Sequence, residues 1–232
     1  DDFLENEADK IIDLIEKNQA EDGYFNSYYQ NFEIENRFTI RNNHELYCAG
    51  HLIEAGIAYY ECTGKDKLLK AAKKYADLIY QLFYIEKSTA FKTPGHEEIE
   101  LALYKLYKIT NEKKYLDLAL YFLDSRGYQF IPWPDYCSHF NHFYAQDHLP
   151  VRQQKTAQGH SVRAMYLYCA MADIGKEIYD KELLDSCKAI FDDVYNKKMY
   201  ITGGIGSLGG IEGFAVPYYL PNKTLMTKLA PL

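Results

Sequence analysis

The chain has 232 residues, of which 26 are basic and 33 acidic, so its formal net charge is −7 at pH 7. This acidic balance argues against nucleic acid or an anionic membrane as the main partner. No apolar run approaches the roughly 20 residues that a membrane-spanning helix needs. Hydrophobic residues make up 47% of the chain and charged residues 25%, which is typical of a folded globular protein.

The cysteines and the first residues predict a cytoplasmic protein. The five cysteines are scattered, with no Cys-x-x-Cys spacing. An odd number without a pattern indicates reduced thiols rather than a disulfide framework. The segment Asp1–Glu7 has no basic stretch followed by an apolar core, so no secretory leader is visible there.

Apolar side chains recur at helical spacing along nearly the whole chain, and no segment shows the alternation of a strand. The stripes begin, in chain order, at Ala8, Leu46, Leu68, Ile99, Tyr115, Val162 and Leu183. Helix ends are indicated between them by Thr63-Gly64, Thr110-Asn111 and Ile174-Gly175. The pattern predicts an all-α protein.

A Gly-His pair occurs at Gly50-His51, Gly95-His96 and Gly159-His160, and each pair predicts a helix start, followed by a short turn and a second helix. Repeated helix hairpins form either an open superhelix or a closed ring. The spacing matches no strict solenoid period, and the long aromatic linker from Gly127 to Gln158 indicates a functional loop. We therefore predict one domain over residues 1–232, a partial α/α toroid with a pocket at one end, in which about three and a half hairpins are visible.

The histidines offer two candidate sites. His44, Cys48 and His51 have i, i+4, i+7 spacing, which is compatible with metal ligation on one helix face. The alternative is that Cys48 lies in the core while both histidines bond to carbonyl groups. His96 and His160 each follow a glycine at a predicted helix start, where a side chain reaches a cavity beside backbone N–H groups. The alternative for these two is a purely structural role.

Glu212 is the candidate acid. It follows the glycine-rich segment Thr202–Gly210, which lacks the lysine of a phosphate-binding loop and a preceding strand, and so predicts a flexible loop. A lone carboxylate between the apolar residues Ile211 and Phe214 is a candidate for proton donation. The alternative is an exposed loop glutamate without a chemical role.

Six ordered segments, from about residue 5 to residue 224, resemble glycoside hydrolase family 127, the β-L-arabinofuranosidase family, formerly a domain of unknown function. The signature segment is Asn43–Glu54, Asn-His-Glu-Leu-Tyr-Cys-Ala-Gly-His-Leu-Ile-Glu. The other segments are Asp22–Tyr29, Gly95–Leu103, Tyr144–Val151, Gly159–Tyr166, and Thr202–Ser207 leading through Glu212-Gly213-Phe214 to Leu220-Pro221-Asn222.

The resemblance implies an (α/α)6 barrel followed by β-sandwich domains, and a retaining glycosidase whose zinc-bound cysteine thiolate attacks the anomeric carbon. Zinc keeps such a sulfur deprotonated at neutral pH. By the same resemblance, Glu212 is the general acid/base, and His44, His96 and His160 bind the sugar hydroxyls. The implied partner is an L-arabinose-containing oligosaccharide.

The end of the chain departs from the family. Where the resemblance places a Glu-Thr-Cys motif with two zinc ligands, Lys228 and Ala230 stand at the Glu and Cys positions. A family-like TAT GAC GAA ACT TGC GCC, read one base late, encodes Met-Thr-Lys-Leu-Ala-Pro, which is the sequence of Met226 to Pro231. We therefore expect residues 223–232 to be an out-of-frame tail. No metal site is expected in this chain, although zinc is expected in the full-length family.

Three functional hypotheses follow. The first is a β-L-arabinofuranosidase-like hydrolase domain that is inactive in this truncated form. The second is a non-catalytic α-helical module that binds carbohydrate or another protein. The third is an epimerase or lyase on a similar toroid, because sugar-binding toroids share architecture without sharing chemistry. In each case the uncovered hairpin faces of an incomplete ring predict a homo-oligomer.

Overall fold

The computed structural model describes residues 2–127 and 142–222. Within these ranges the chain is helical, with isolated β-bridges but no strand. No described helix combines the length and the apolar character needed to cross a membrane. The helices are α1 (Asp2–Asn18), α2 (Ser27–Phe32), α3 (Glu45–Thr63), α4 (Lys67–Ile79), α5 (Ile99–Thr110), α6 (Lys113–Asp124), α7 (Ser161–Glu177) and α8 (Lys181–Lys197), with a π-helical turn at Tyr80–Glu86 and 3₁₀ turns at Ile34–Asn36 and Val151–Gln153.

The chain forms two compact units. The first comprises residues 1–95 and 102–121, and the second comprises residues 96–101 and 122–232. Two predicted segments, 128–141 in the aromatic linker and the tail 223–232 with Lys228 and Ala230, lie outside the described residues.

The first unit is built on α3 and α4, with α1 against α4. Gly56 of α3 is buried, and a Cβ at this position would lie 3.1 Å from the Cα of Leu69, so the absence of a side chain lets α4 approach closely. The buried carboxylate of Glu45 accepts hydrogen bonds from the Tyr24 hydroxyl and from the backbone N–H of Phe38. These bonds hold the loop before α3 to the start of that helix.

The second unit is built on the hairpin of α7 and α8. Asp180 caps α8 by accepting a hydrogen bond from the N–H of Leu183 at 2.9 Å, as expected of an aspartate before a helix. The buried Oγ of Ser186 lies 2.7 Å from the carbonyl oxygen of Val151 and 2.6 Å from that of Gln154, and its single hydrogen can be donated to either, which fastens the preceding linker to α8. The apolar core of the hairpin comprises Ala164, Leu167, Ala170, Met171, Ile174, Leu183, Ile190 and Val194.

The predicted helix starts are confirmed in part. His160 is the N-cap of α7, and His96 lies three residues before α5, which begins at Ile99. The prediction for Gly50-His51 is wrong, because both residues lie inside α3. That helix begins earlier because His44 adopts a left-handed conformation, with φ 60°, at its N-cap.

Of the three predicted helix ends, two are confirmed and one is wrong. Gly64 ends α3 with φ 75°, and Asn111 follows α5 with φ 58°, as predicted. Ile174-Gly175 does not end α7, which continues to Glu177. The reversal of the chain falls instead near Tyr179, whose φ is 57°.

Candidate functional site

His160 and Glu212 lie together in the second unit. The Nε2 atom of His160 is 3.2 Å from Oε2 of Glu212. The imidazole of His160 is almost fully buried, whereas about a third of the Glu212 side chain is exposed. The carboxylate can therefore meet a ligand from solvent while a buried ring contacts it from behind.

His96 belongs to the same cluster. Its ring centroid lies 6.0 Å from that of His160 and 6.0 Å from that of Tyr166 on α7. Its Nδ1 atom lies 2.8 Å from the carbonyl oxygen of Glu97. Two of the three histidines predicted to bind sugar are therefore neighbours, and the predicted acid is in contact with one of them.

The loop that carries Glu212 is fixed to the start of α7. The N–H and the Oγ of Ser161 donate to the Glu212 carbonyl oxygen at 2.9 and 2.8 Å. Next to Glu212, Gly213 exchanges two backbone hydrogen bonds with Leu208, and these close the glycine-rich loop. Glu212 itself has φ 50°, a left-handed conformation that this set of bonds maintains.

Tyr144 and Arg163 surround His160. The Tyr144 ring lies edge-on to His160 with centroids 5.3 Å apart, and the Arg163 guanidinium lies 4.8 Å from the centre of the Tyr144 ring. Burial raises the pKa of Tyr144, while the charge and hydrogen bond of Arg163 act in the opposite direction and the carboxylate of Glu212 adds to the rise. Tyr144 therefore remains a neutral hydroxyl beside the cluster.

Behind His96 lies a buried ion network centred on Arg126. Its guanidinium is 3.0 Å from Glu97, 2.8 Å from Glu100 and 3.5 Å from Asp147, and Arg126 is fully buried. Burial raises the pKa of Glu97 to about 7, against the opposing charges of Arg126 and Arg163. Three carboxyl groups surround the Arg126 guanidinium, so protonation of Glu97 at mildly acidic pH lowers the negative charge that is buried around it.

His44, the third predicted sugar ligand, belongs to the first unit. Its side chain is exposed and lies edge-on to Tyr47, with ring centroids 5.7 Å apart. In the described part of the chain, His44, Cys48 and His51 do not form a metal-ligand group. The predicted helix face is absent because His44 has left-handed backbone angles and precedes the helix. The alternative core role of Cys48 is also wrong, since Cys48 is exposed.

Sequence reasoning missed several residues around the cluster. The fully buried Arg126 is among them, and so are its carboxylate partners. The available signal was the segment Gly95–Glu100, in which three glutamates in four residues precede an apolar helix face. Buried carboxylates need a cationic partner, but the sequence does not show which arginine supplies it.

An apolar groove of about 690 Å³ lies along α7 and α8 of the same unit. Its lining includes Tyr166 and the exposed Cys169 from α7, and Phe191 from α8. Phe191 is 58% exposed and stacks on Tyr195, with ring centroids 5.8 Å apart. This face of the hairpin is more apolar than a solvent-facing surface normally is.

Comparisons with a family model, with curated proteins and with solved structures all indicate the same family. The chain matches the family model described as "Beta-L-arabinofuranosidase, GH127 catalytic domain" over residues 1–227. It is 39% identical, over 235 aligned residues, to the non-reducing end beta-L-arabinofuranosidase of Bifidobacterium longum subsp. longum, and the alignment covers 94% of this chain and 36% of that protein.

Solved structures agree with this match. A GH127 beta-L-arabinofuranosidase from Geobacillus stearothermophilus T6 superposes with a TM-score of 0.90 at 43% identity, over 96% of this chain and 37% of that chain. The GH127 beta-arabinofuranosidase BT3674 gives a TM-score of 0.85 at 37% identity, over 96% of this chain and 35% of that chain. The chain thus spans little more than a third of the length of these relatives. The predicted class, an all-α and incomplete α/α barrel, is confirmed.

Proposed function

Since the chain belongs to the GH127 β-L-arabinofuranosidase family, we propose that it is the sugar-binding part of a glycoside hydrolase domain that acts on β-L-arabinofuranosides. The substrate class is an L-arabinose-containing oligosaccharide. The observation that supports this proposal most directly is the contact between His160 and Glu212, with the His96 ring beside it.

The proposed chemistry assigns Glu212 as the general acid/base. Its carboxyl group would protonate the oxygen of the leaving group and then take a proton from the incoming water. His96 and His160, which lie beside this carboxylate in the same unit, are assigned to the sugar and to the surroundings of Glu212. The sugar-binding role of His44, which belongs to the first unit, stays a prediction. The partial exposure of Glu212 supports the role, because a general acid must be reachable by the glycosidic oxygen.

The residues of this chain do not fit the zinc of the family. A lysine ammonium has no lone pair for a metal, and an alanine methyl group offers no donor atom, so Lys228 and Ala230 cannot replace the expected Glu and Cys ligands. We therefore propose that this chain binds the sugar without turning it over.

Sugar binding is the first test. Methyl β-L-arabinofuranoside is titrated into the full chain and followed by two-dimensional NMR, with methyl β-D-galactopyranoside as the control ligand. We expect saturable shifts with the arabinofuranoside only, and loss of these shifts in His96→Ala. His51→Ala is the matched control, because it removes an imidazole that we do not assign to the sugar. Equal shifts with both sugars, or unchanged binding in His96→Ala, would overturn the proposal.

Turnover is the second test. The purified chain is analysed for zinc and assayed with an aryl β-L-arabinofuranoside. We expect no stoichiometric zinc and no release of the aryl group. Hydrolysis that disappears in Glu212→Gln would show that this chain is a complete enzyme and that the missing ligands are not needed.

The remaining parts of the proposal concern the location and assembly of the chain. Among the described residues, four cysteines are free thiols, which supports a cytoplasmic location: Cys48, Cys62, Cys169 and Cys187. The apolar groove on α7 and α8 supports self-association, and we propose that a second copy of the chain covers it.

A further inference from the structure

We propose that His160 is a positioning residue, whose imidazole orients the carboxylate of Glu212. The inference rests on the proposed function, because Glu212 is the acid/base only if the site binds a glycoside. It differs from the role that the family resemblance implies, which is contact with a sugar hydroxyl.

The hydrogen bonds of the ring define its tautomer. The Nδ1 atom of His160 accepts a hydrogen bond from the backbone N–H of Arg163 at 3.3 Å. A neutral imidazole has one N–H and one lone pair, so the ring hydrogen must then lie on Nε2. Nε2 is 3.2 Å from Oε2 of Glu212, and an ionised carboxylate can only accept. Both ring nitrogens are therefore engaged by the protein.

The surroundings hold this arrangement in place. His160 is the N-cap of α7, its backbone N–H donates to the Tyr144 carbonyl at 3.1 Å, and its ring lies against the edge of Tyr144. The next residue, Ser161, binds the backbone carbonyl of Glu212. Two consecutive residues at one helix start thus fix the side chain and the main chain of the same glutamate.

His96 has the opposite proton arrangement. Its Nδ1 atom lies 2.8 Å from the Glu97 carbonyl oxygen, which can only accept, so Nδ1 carries the hydrogen and Nε2 carries the lone pair. That ring can accept a hydrogen bond from a sugar hydroxyl. The two neighbouring imidazoles are therefore suited to different tasks: His96 to the sugar, and His160 to Glu212.

The tautomer is measured directly by two-dimensional ¹⁵N NMR of the imidazole groups in the full chain at neutral pH. We expect His160 as the Nε2–H tautomer, with a ring N–H signal protected from exchange with water. In Glu212→Ala this signal should be lost to exchange, whereas the exposed-carboxylate control Asp192→Ala should retain it. A Nδ1–H tautomer, or a ring N–H signal unchanged in Glu212→Ala, would overturn the proposal.

A second variant separates positioning from helix capping. His160→Asn retains an N-cap acceptor, since asparagine is a preferred N-cap residue, but removes the donor to Glu212. We expect unchanged helix content and a shifted side-chain carboxyl ¹³C resonance of Glu212, while Asp192→Asn leaves that resonance in place. An unshifted resonance in a folded His160→Asn chain would contradict the positioning role.

The two proposals can fail separately. If the tautomer is as expected but the arabinofuranoside does not bind, the proposed function is wrong and the pairing of His160 with Glu212 is structural. If the sugar binds but His160 has the Nδ1–H tautomer, the proposed function stands and the positioning role is wrong.

Discussion

Ser161 donates two hydrogen bonds to one atom, the carbonyl oxygen of Glu212, from its N–H at 2.9 Å and from its Oγ at 2.8 Å. The first residue of α7 therefore holds the main chain of the proposed acid/base. A helix start has N–H groups without intrahelical partners, and here one of them fixes the loop that carries Glu212.

Ser161→Ala should lower the free energy of unfolding by about 1 kcal/mol, because it removes a hydroxyl bond in a buried setting while the backbone bond remains. It should also weaken arabinofuranoside binding, because the Glu212 carbonyl oxygen loses one of the two hydrogen bonds that Ser161 donates to it. Urea unfolding and the NMR titration measure the two effects. The matched control is Ser88→Ala, an exposed serine, which should change neither quantity. Equal effects of the two substitutions would show that the Ser161 hydroxyl does not hold the loop.

Gly206→Ala should be more destabilising than Gly203→Ala. Both glycines have left-handed backbone angles, φ 85° and φ 87°, so the conformational strain of an alanine is similar at the two positions. A Cβ at Gly206 would lie 2.5 Å from the Oγ of Ser161, whereas a Cβ at Gly203 meets nothing within 4 Å.

The difference between the two variants therefore isolates the clash with Ser161. Thermal unfolding of both variants measures it, and we expect the lower melting temperature for Gly206→Ala. If both melt at the same temperature, the close contact between Gly206 and Ser161 is not part of the folded protein.

The stability of the wild type relative to Glu97→Gln should depend on pH. Burial raises the pKa of Glu97 from 4.5 to about 7, so the folded state binds its proton more tightly than the unfolded state does. The stabilisation from this protonated group is complete below about pH 4.5 and is lost as the pH rises through 7. Between about pH 5 and pH 7.5, the wild type should lose up to about 3 kcal/mol relative to the variant.

Urea unfolding of both proteins across this range measures the difference. Glu182→Gln, an exposed carboxyl at the start of α8, is the control and should track the wild type at every pH. A difference between the wild type and Glu97→Gln that stays constant with pH would mean that Glu97 is ionised throughout, in an ion pair with Arg126.

Phe191→Glu should reduce self-association. We expect the chain to associate through the apolar groove of α7 and α8, and a carboxylate beside Tyr195 would have to be desolvated there. Light scattering after size exclusion should show an oligomer for the wild type and a smaller species for the variant. Ile201→Glu is the control, because Ile201 is fully exposed and does not line the groove. A monomeric wild type at all concentrations would refute the expectation.

The sequence predicted the helical class because the apolar spacing is local and needs no tertiary information. It also predicted the start of α7, where a glycine and a histidine precede the apolar stripe. The same pair at Gly50-His51 gave a wrong helix start. The left-handed angles of His44, which begin α3 earlier, could not be read from residue type, because histidine is enriched in this region relative to most other residues but still adopts it in only a minority of cases.

The sequence allowed the residues of the site to be predicted, but not the contacts between them. Family resemblance selected His96, His160 and Glu212, and the structure brings these three together in one unit. The ion network of Arg126 was not predictable, because its partners come from two distant parts of the chain and pair only after folding. The tautomers of the two histidines likewise depend on the backbone groups that each ring meets.

The most direct test of the central claim is a crystal structure of this chain grown with methyl β-L-arabinofuranoside. We expect the sugar to lie beside His96, with its glycosidic oxygen within hydrogen-bond distance of the Glu212 carboxylate. A sugar bound elsewhere on the chain, or an empty site at a concentration that saturates the NMR titration, would contradict the claim.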